Sequence, residues 1–70
     1  MPLTMIKSGD DKIIQSLRGS ERLKNKLLSM GFVPGQSISV IKESKNGMIL
    51  NVKGSRIAVD KGLAFLIQVL

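Results

Sequence analysis

The stretch Gly19-Ser20-Glu21-Arg22-Leu23-Lys24-Asn25-Lys26-Leu27-Leu28-Ser29-Met30-Gly31-Phe32-Val33-Pro34-Gly35 decides how the rest of the chain is read. Ser20 can accept a hydrogen bond from a first-turn amide, and Glu21 sits where the helix dipole favours negative charge. Leu23, Leu27 and Met30 recur at i, i+4 and i+7 as one apolar stripe, while Arg22, Asn25, Lys26 and Ser29 share the wet face. Gly31 stands where a left-handed cap is wanted, and Pro34-Gly35 fits the middle of a type II turn. The sequence therefore predicts one helix over about residues 20–30, with its stop and the turn that follows specified locally.

Outward from this helix the chain reads as short strands. Leu3 with Met5 or Ile6 suits a first strand, with Pro2 at its start, and Ser8 to Asp11 reads as a turn. In Lys12 to Leu17, Ile14 and Leu17 cannot both face inward without a bulge, expected near Gln15-Ser16. After Gly35 the period becomes two. Ile38 and Val40 share one face, then Met48, Leu50 and Val52, then Ile57 and Val59. Asn46-Gly47 reads as a type I′ hairpin turn, and Lys53-Gly54-Ser55 as a second reversal. Asp60 can cap a single turn through Ala64. A last strand from Phe65 to Leu70 would put Phe65, Ile67 and Val69 inward. The sum is a mostly β fold: a small SH3-like antiparallel barrel of five or six short strands with one inserted α-helix, an OB-like barrel being the second choice. The helix would close one end with Leu23, Leu27 and Met30.

Seventy residues allow one domain, 1–70, and a chain this short leaves little stability margin. There is no cysteine and no histidine, which excludes disulfides, thiolate nucleophiles, imidazole catalysis and the common zinc sites. The carboxylates are Asp10, Asp11, Glu21, Glu43 and Asp60, of which only Asp10 and Asp11 adjoin, a poor chelate. No metal, no cofactor and no catalytic residue is expected, and the lysines fall at polar-face or turn positions. Eleven Lys and Arg against five acids give a charge of +6, which favours acidic partners. No apolar run is long enough to span a membrane and the first residues lack a signal-peptide pattern, so the chain is expected in the cytoplasm.

Two surfaces are candidates for binding a partner. One is the wet helix face with its exit, Arg22, Asn25, Lys26, Ser29, Phe32 and Val33. The other is an apolar patch of Ile41, Ile49, Leu66 and Leu70, residues out of phase with the core sets, which would form only if their strands are adjacent. Nucleic-acid binding by a small barrel is the alternative; with two phenylalanines for stacking, protein binding is preferred.

The signature Leu23-x-x-Lys26-Leu27-x-x-Met30-Gly31-Phe32-Val33-Pro34-Gly35-x-x-Ile38-x-Val40 resembles that of the ferrous iron transport protein A (FeoA) family. So does the close from Val52 to Val59 and on through Ala64, Ile67 and Val69. The likeness covers nearly the whole chain. It implies an SH3-like core domain and a small cytosolic, non-enzymatic accessory that binds and modulates the cytosolic GTPase region of the membrane ferrous iron transporter FeoB. It also implies no reliance on a Cys/His iron site. A diverged protein-interaction module, or iron sensing by the domain itself, would be the other outcomes within this resemblance.

Overall fold

The computed structural model describes residues 1–70. Along the chain lie β1 (Asp11–Leu17), α1 (Glu21–Ser29), β2 (Ser37–Glu43), β3 (Gly47–Val52), β4 (Ser55–Asp60), α2 (Lys61–Phe65) and β5 (Ile67–Val69). The strands form one antiparallel sheet in the order β4-β3-β2-β1-β5. The period-two alternation after Gly35 becomes the β2-β3-β4 meander, and Ile38, Val40, Met48, Leu50, Val52 and Val59 are buried by it. β1 divides its length between two partners. Asp11 to Ile13 pair with β2, Ile14 to Leu17 with β5, and the register shifts between Ile14 and Ser16. That shift is the expected bulge, and it lets Ile14 be fully buried while Leu17 packs against the same core.

Four expectations are corrected. The first six residues are not a strand: Leu3–Met5 is a single 3₁₀ turn, closed by Met5 N–H to Pro2 O at 3.0 Å and Ile6 N–H to Leu3 O at 3.0 Å. Leu3 and Ile6 are the buried pair, three residues apart, which is the 3₁₀ repeat rather than the strand repeat. Only Met1 and Pro2 reach the sheet: Pro2 bridges Gln68, and Met1 exchanges hydrogen bonds with Val69.

The type I′ turn lies one hairpin later than expected. Neither Asn46 nor Gly47 has positive φ, whereas Lys53 (+53°) and Gly54 (+77°) both do, and Val52 pairs with Ser55 across them. Gly47 is instead the first residue of β3, where an added Cβ would meet the Val59 carbonyl oxygen at 2.8 Å. Its glycine serves close packing, not turn geometry.

Phe65 does not face the core. Asp60 Oδ1 accepts from Leu63 N–H at 2.7 Å, as expected of a cap, but the helix it starts runs through Phe65, leaving that side chain 57% exposed. Ala64 and Ile67 take the buried positions on either side of it. The helix stripe is also partly corrected: Leu27 is fully buried, while Leu23 and Met30 are half-buried.

No helix is long and apolar enough to cross a membrane.

Candidate partner-binding surface

The candidate surface is α1, and its rigidity is built into both ends. Ser20 Oγ accepts from Leu23 N–H at 3.2 Å, with Glu21 in the first turn. At the other end Gly31 has φ +102°, Gly31 N–H donates to Leu28 O at 3.0 Å and Phe32 N–H donates to Leu27 O at 3.1 Å. This bond pattern is a Schellman motif, with Met30 as C-cap, and such motifs bury an apolar residue just past the glycine beside the last turn. Here that residue is Phe32, fully buried in the same cluster as Leu27. Phe32 is therefore removed from the candidate surface: it is the anchor of the helix exit. The chain then turns at Val33 to Gln36, with Gln36 N–H to Val33 O at 3.0 Å and Gly35 at φ +95°, the expected type II geometry. Two bonds to Ile14, Gly35 N–H to its carbonyl at 2.8 Å and its N–H to Gln36 O at 2.9 Å, lock the turn to β1.

The wet face is where the sequence places it. Arg22, Asn25, Lys26 and Ser29 are exposed and stand at i, i+3, i+4 and i+7 on one side of the helix. Ser29 Oγ is already engaged, donating to Lys26 O at 2.7 Å. Arg22 and Lys26 make no ion pair; the acid of this helix, Glu21, lies 3.9 Å from Lys24 Nζ instead. Val33 is 39% exposed beside the helix exit, and Leu28, which the sequence reading left unassigned, is 41% exposed. Leu28 falls off both the Leu23, Leu27, Met30 stripe and the Arg22, Lys26, Ser29 side, on the flank of the helix near Lys24. The surface that results is two unpaired cations with Val33 at the C-terminal end, suited to an acidic partner with an apolar contact at one side.

The second candidate, the apolar patch, does not assemble. Ile41 and Ile49 are neighbours on the outer side of β2 and β3, where the register shifts between Val40 and Lys42. Leu66 is the half-buried C-cap of α2, packed against the core. Leu70 is 65% exposed past the far end of β5, its N–H bonded to Ile13 O at 3.0 Å. Strand β1 separates the first pair from β5 in the sheet. No group of three or more acidic side chains lies close enough to hold a metal ion.

The architecture is that of an SH3-like domain. It is similar to FeoA of Stenotrophomonas maltophilia, described as a prokaryotic SH3 domain protein, with TM-score 0.81 over 100% of this chain and 89% of that one. At 18% identity that likeness carries the fold alone. The FeoA domain model matches residues 1–70, and the chain belongs to the FeoA family. It is also similar to a protein of Methanocaldococcus jannaschii provisionally named Fe(2+) transport protein A, 34% identical over 68 residues, 97% of this chain and 83% of that protein. A crystal structure of an iron uptake regulatory protein, FeoA, is 37% identical, covering 99% of this chain and 93% of that chain with TM-score 0.92.

Proposed function

We propose that this protein is a non-enzymatic accessory of ferrous iron uptake that acts in the cytoplasm, docking on the cytosolic GTPase region of the membrane transporter FeoB and modulating it. Membership of a family associated with ferrous iron transport supports the pathway. The observation that carries the docking face is the pair of unpaired cations, Arg22 and Lys26, presented one turn apart on a helix capped at both ends. Long charged side chains held in register, with their neighbouring acid turned to Lys24, retain their full field for an acidic partner. Val33, exposed at the helix exit, supplies an apolar contact. Protein binding is favoured over base stacking because Phe32 is buried, which leaves Phe65 as the one aromatic ring at the surface.

The test is the double reversal Arg22→Glu with Lys26→Glu, measured in a pull-down and by calorimetry against the purified cytosolic region of the transporter. Both positions are exposed, so the melting temperature should stay within a few degrees, while affinity should fall by roughly tenfold or more, in a manner that depends on salt. Unchanged affinity with a folded variant removes the α1 face from the reading.

A further inference from the structure

The sheet has two edges, and the molecule treats them differently. The β5 edge is sealed by the start of the chain: Pro2 bridges Gln68, the Met1 ammonium donates to Val69 O at 3.0 Å, and Val69 N–H donates to Met1 O at 2.8 Å. The β4 edge carries nothing. β4 ends the strand order and pairs with β3 alone, through six consecutive residue pairs without a register shift, whereas the pairings of β2 with β3 and of β1 with β5 are each interrupted. An unbulged, proline-free edge is a template for another strand.

The Lys53-Gly54 turn fixes which groups it offers. In a two-residue hairpin the closing pair, Val52 with Ser55, exchanges hydrogen bonds, and so in turn do Leu50 with Ile57 and Met48 with Val59. The N–H and C=O groups of Arg56 and Ala58 therefore point away from β3. Both residues are exposed, and neither takes part in any turn, loop or cap backbone hydrogen bond. On the outer face, cross-strand pairing sets Ala58 beside Ile49 and Lys42, and Arg56 beside Asn51. A shallow depression of about 520 Å³ lies there, with Ile49 and Ala58 in its lining. Cations predominate around it. Lys42, Lys53 and Arg56 have no ion-pair partner; Glu43 Oε2 is paired with Lys61 Nζ at 2.7 Å, and Asp60, in the lining, accepts from Leu63 N–H at 2.7 Å and is the one acid there without a cationic partner.

We propose that the β4 edge is a strand-addition site for an extended, acidic segment of a partner protein. Its main chain pairs with Arg56 and Ala58, one of its apolar side chains rests on Ile49 and Ala58, and its carboxylates face Arg56 and Lys53. A second copy of this chain is the poorer occupant, because each molecule carries +6 and the two would repel. The site uses no residue of α1 and stands apart from the transporter reading.

The test takes the whole chain, labelled for amide NMR, with an acetylated, amidated octapeptide in which aspartate, serine, valine and serine repeat, so that its aspartates and valines share one face. Exchange of the Arg56 and Ala58 amides should slow by about tenfold or more on saturation, with contacts between the peptide and β4, while the counterpart with lysine in place of aspartate leaves them unchanged. Methylating the peptide's backbone nitrogens along one edge should weaken binding by about tenfold or more while leaving every side chain in place. Ala58→Pro removes one outward N–H without touching the β3 ladder and should abolish binding; where that variant does not fold, the methylated peptide on the unaltered protein asks the same question. The proposal is overturned if β4 is unperturbed at millimolar peptide, if the methylated peptide binds as well as its parent, or if the perturbed amides lie on α1. Protection of Arg56 and Ala58 on concentrating the protein without peptide would make the occupant a second copy and overturn it too.

Discussion

Leu27 and Phe32 show how closely the helix exit is determined by single residues. Gly31 takes φ +102°, the chain reverses, and Phe32 enters the core in which Leu27 is already fully buried. The family signature runs through these positions because each is a geometric requirement; of the two cations that face water, Lys26 belongs to it and Arg22 stands just before it. Truncating Leu27 deletes buried methyl groups in a core that has no aromatic neighbours to spare other than Phe32. Leu27→Ala should cost about 2–5 kcal/mol in urea or guanidinium unfolding, a large part of what a domain this small possesses. A loss of only a few tenths would mean that α1 is not seated as described. Gly47 makes the opposite point about glycine: its requirement is the Val59 carbonyl oxygen, 2.8 Å from where a Cβ would stand, so its role is invisible to any rule about turns.

Among the elements, those with local causes were legible in the sequence. The Ser20 and Asp60 caps, the Gly31 stop, the Pro34-Gly35 turn, the β1 bulge and the inward sets of β2, β3 and β4 all follow from spacing and side-chain chemistry. What failed turned on partners distant in sequence or on where a short helix stops. The first residues have strand-like composition, and only the buried pair Leu3 and Ile6 settles them as a 3₁₀ turn. Phe65 was misplaced because the helix begun at Asp60 uses one more residue than a single turn, which moves its ring from core to solvent. On the α1 face, period and charge pointed to Arg22, Asn25, Lys26 and Ser29, whereas the burial of Phe32 depends on the core it enters, which spacing does not show. The two hairpins offer a direct check. Lys53 holds φ +53°, a strained value for lysine that asparagine tolerates better, at the type I′ position where Asn-Gly is favoured. Lys53→Asn should therefore stabilise the domain by roughly 0.5–1 kcal/mol, while Asn46→Ala, at ordinary φ, should change little. Equal effects at both positions, measured by denaturant midpoint, would contradict the assignment of the turn.

For the whole molecule, electrostatics oppose compactness. The net charge is +6, and the ion pairs set against it are Lys24 with Glu21 at 3.9 Å and Lys61 with Glu43 at 2.7 Å, both at the surface. Exposed pairs of this kind contribute about 0–1 kcal/mol each, and salt weakens them. Self-repulsion among unpaired cations is screened by the same salt. Because repulsion outnumbers attraction, raising sodium chloride from about 10 mM to about 150 mM, which shortens the Debye length from about 30 Å to about 8 Å, should raise the melting temperature. A fall would show that the two pairs outweigh the net charge.

The division of β1 between β2 and β5 also sets the order in which a nascent chain can acquire its shape. The β2-β3-β4 meander is joined by short turns and can zip as soon as it leaves the ribosome. The second half of β1 must wait for Ile67–Val69, made after everything else in the sheet, and the Met1 and Pro2 contacts wait with it. During elongation Ile14, Leu3 and the inner face of the meander have no lid, so the interval before β5 emerges is when this small protein is most exposed to aggregation. Once complete, the closure of nearly the whole chain into one loop places its folding in the millisecond-to-second range of small barrels rather than the microseconds of helical bundles.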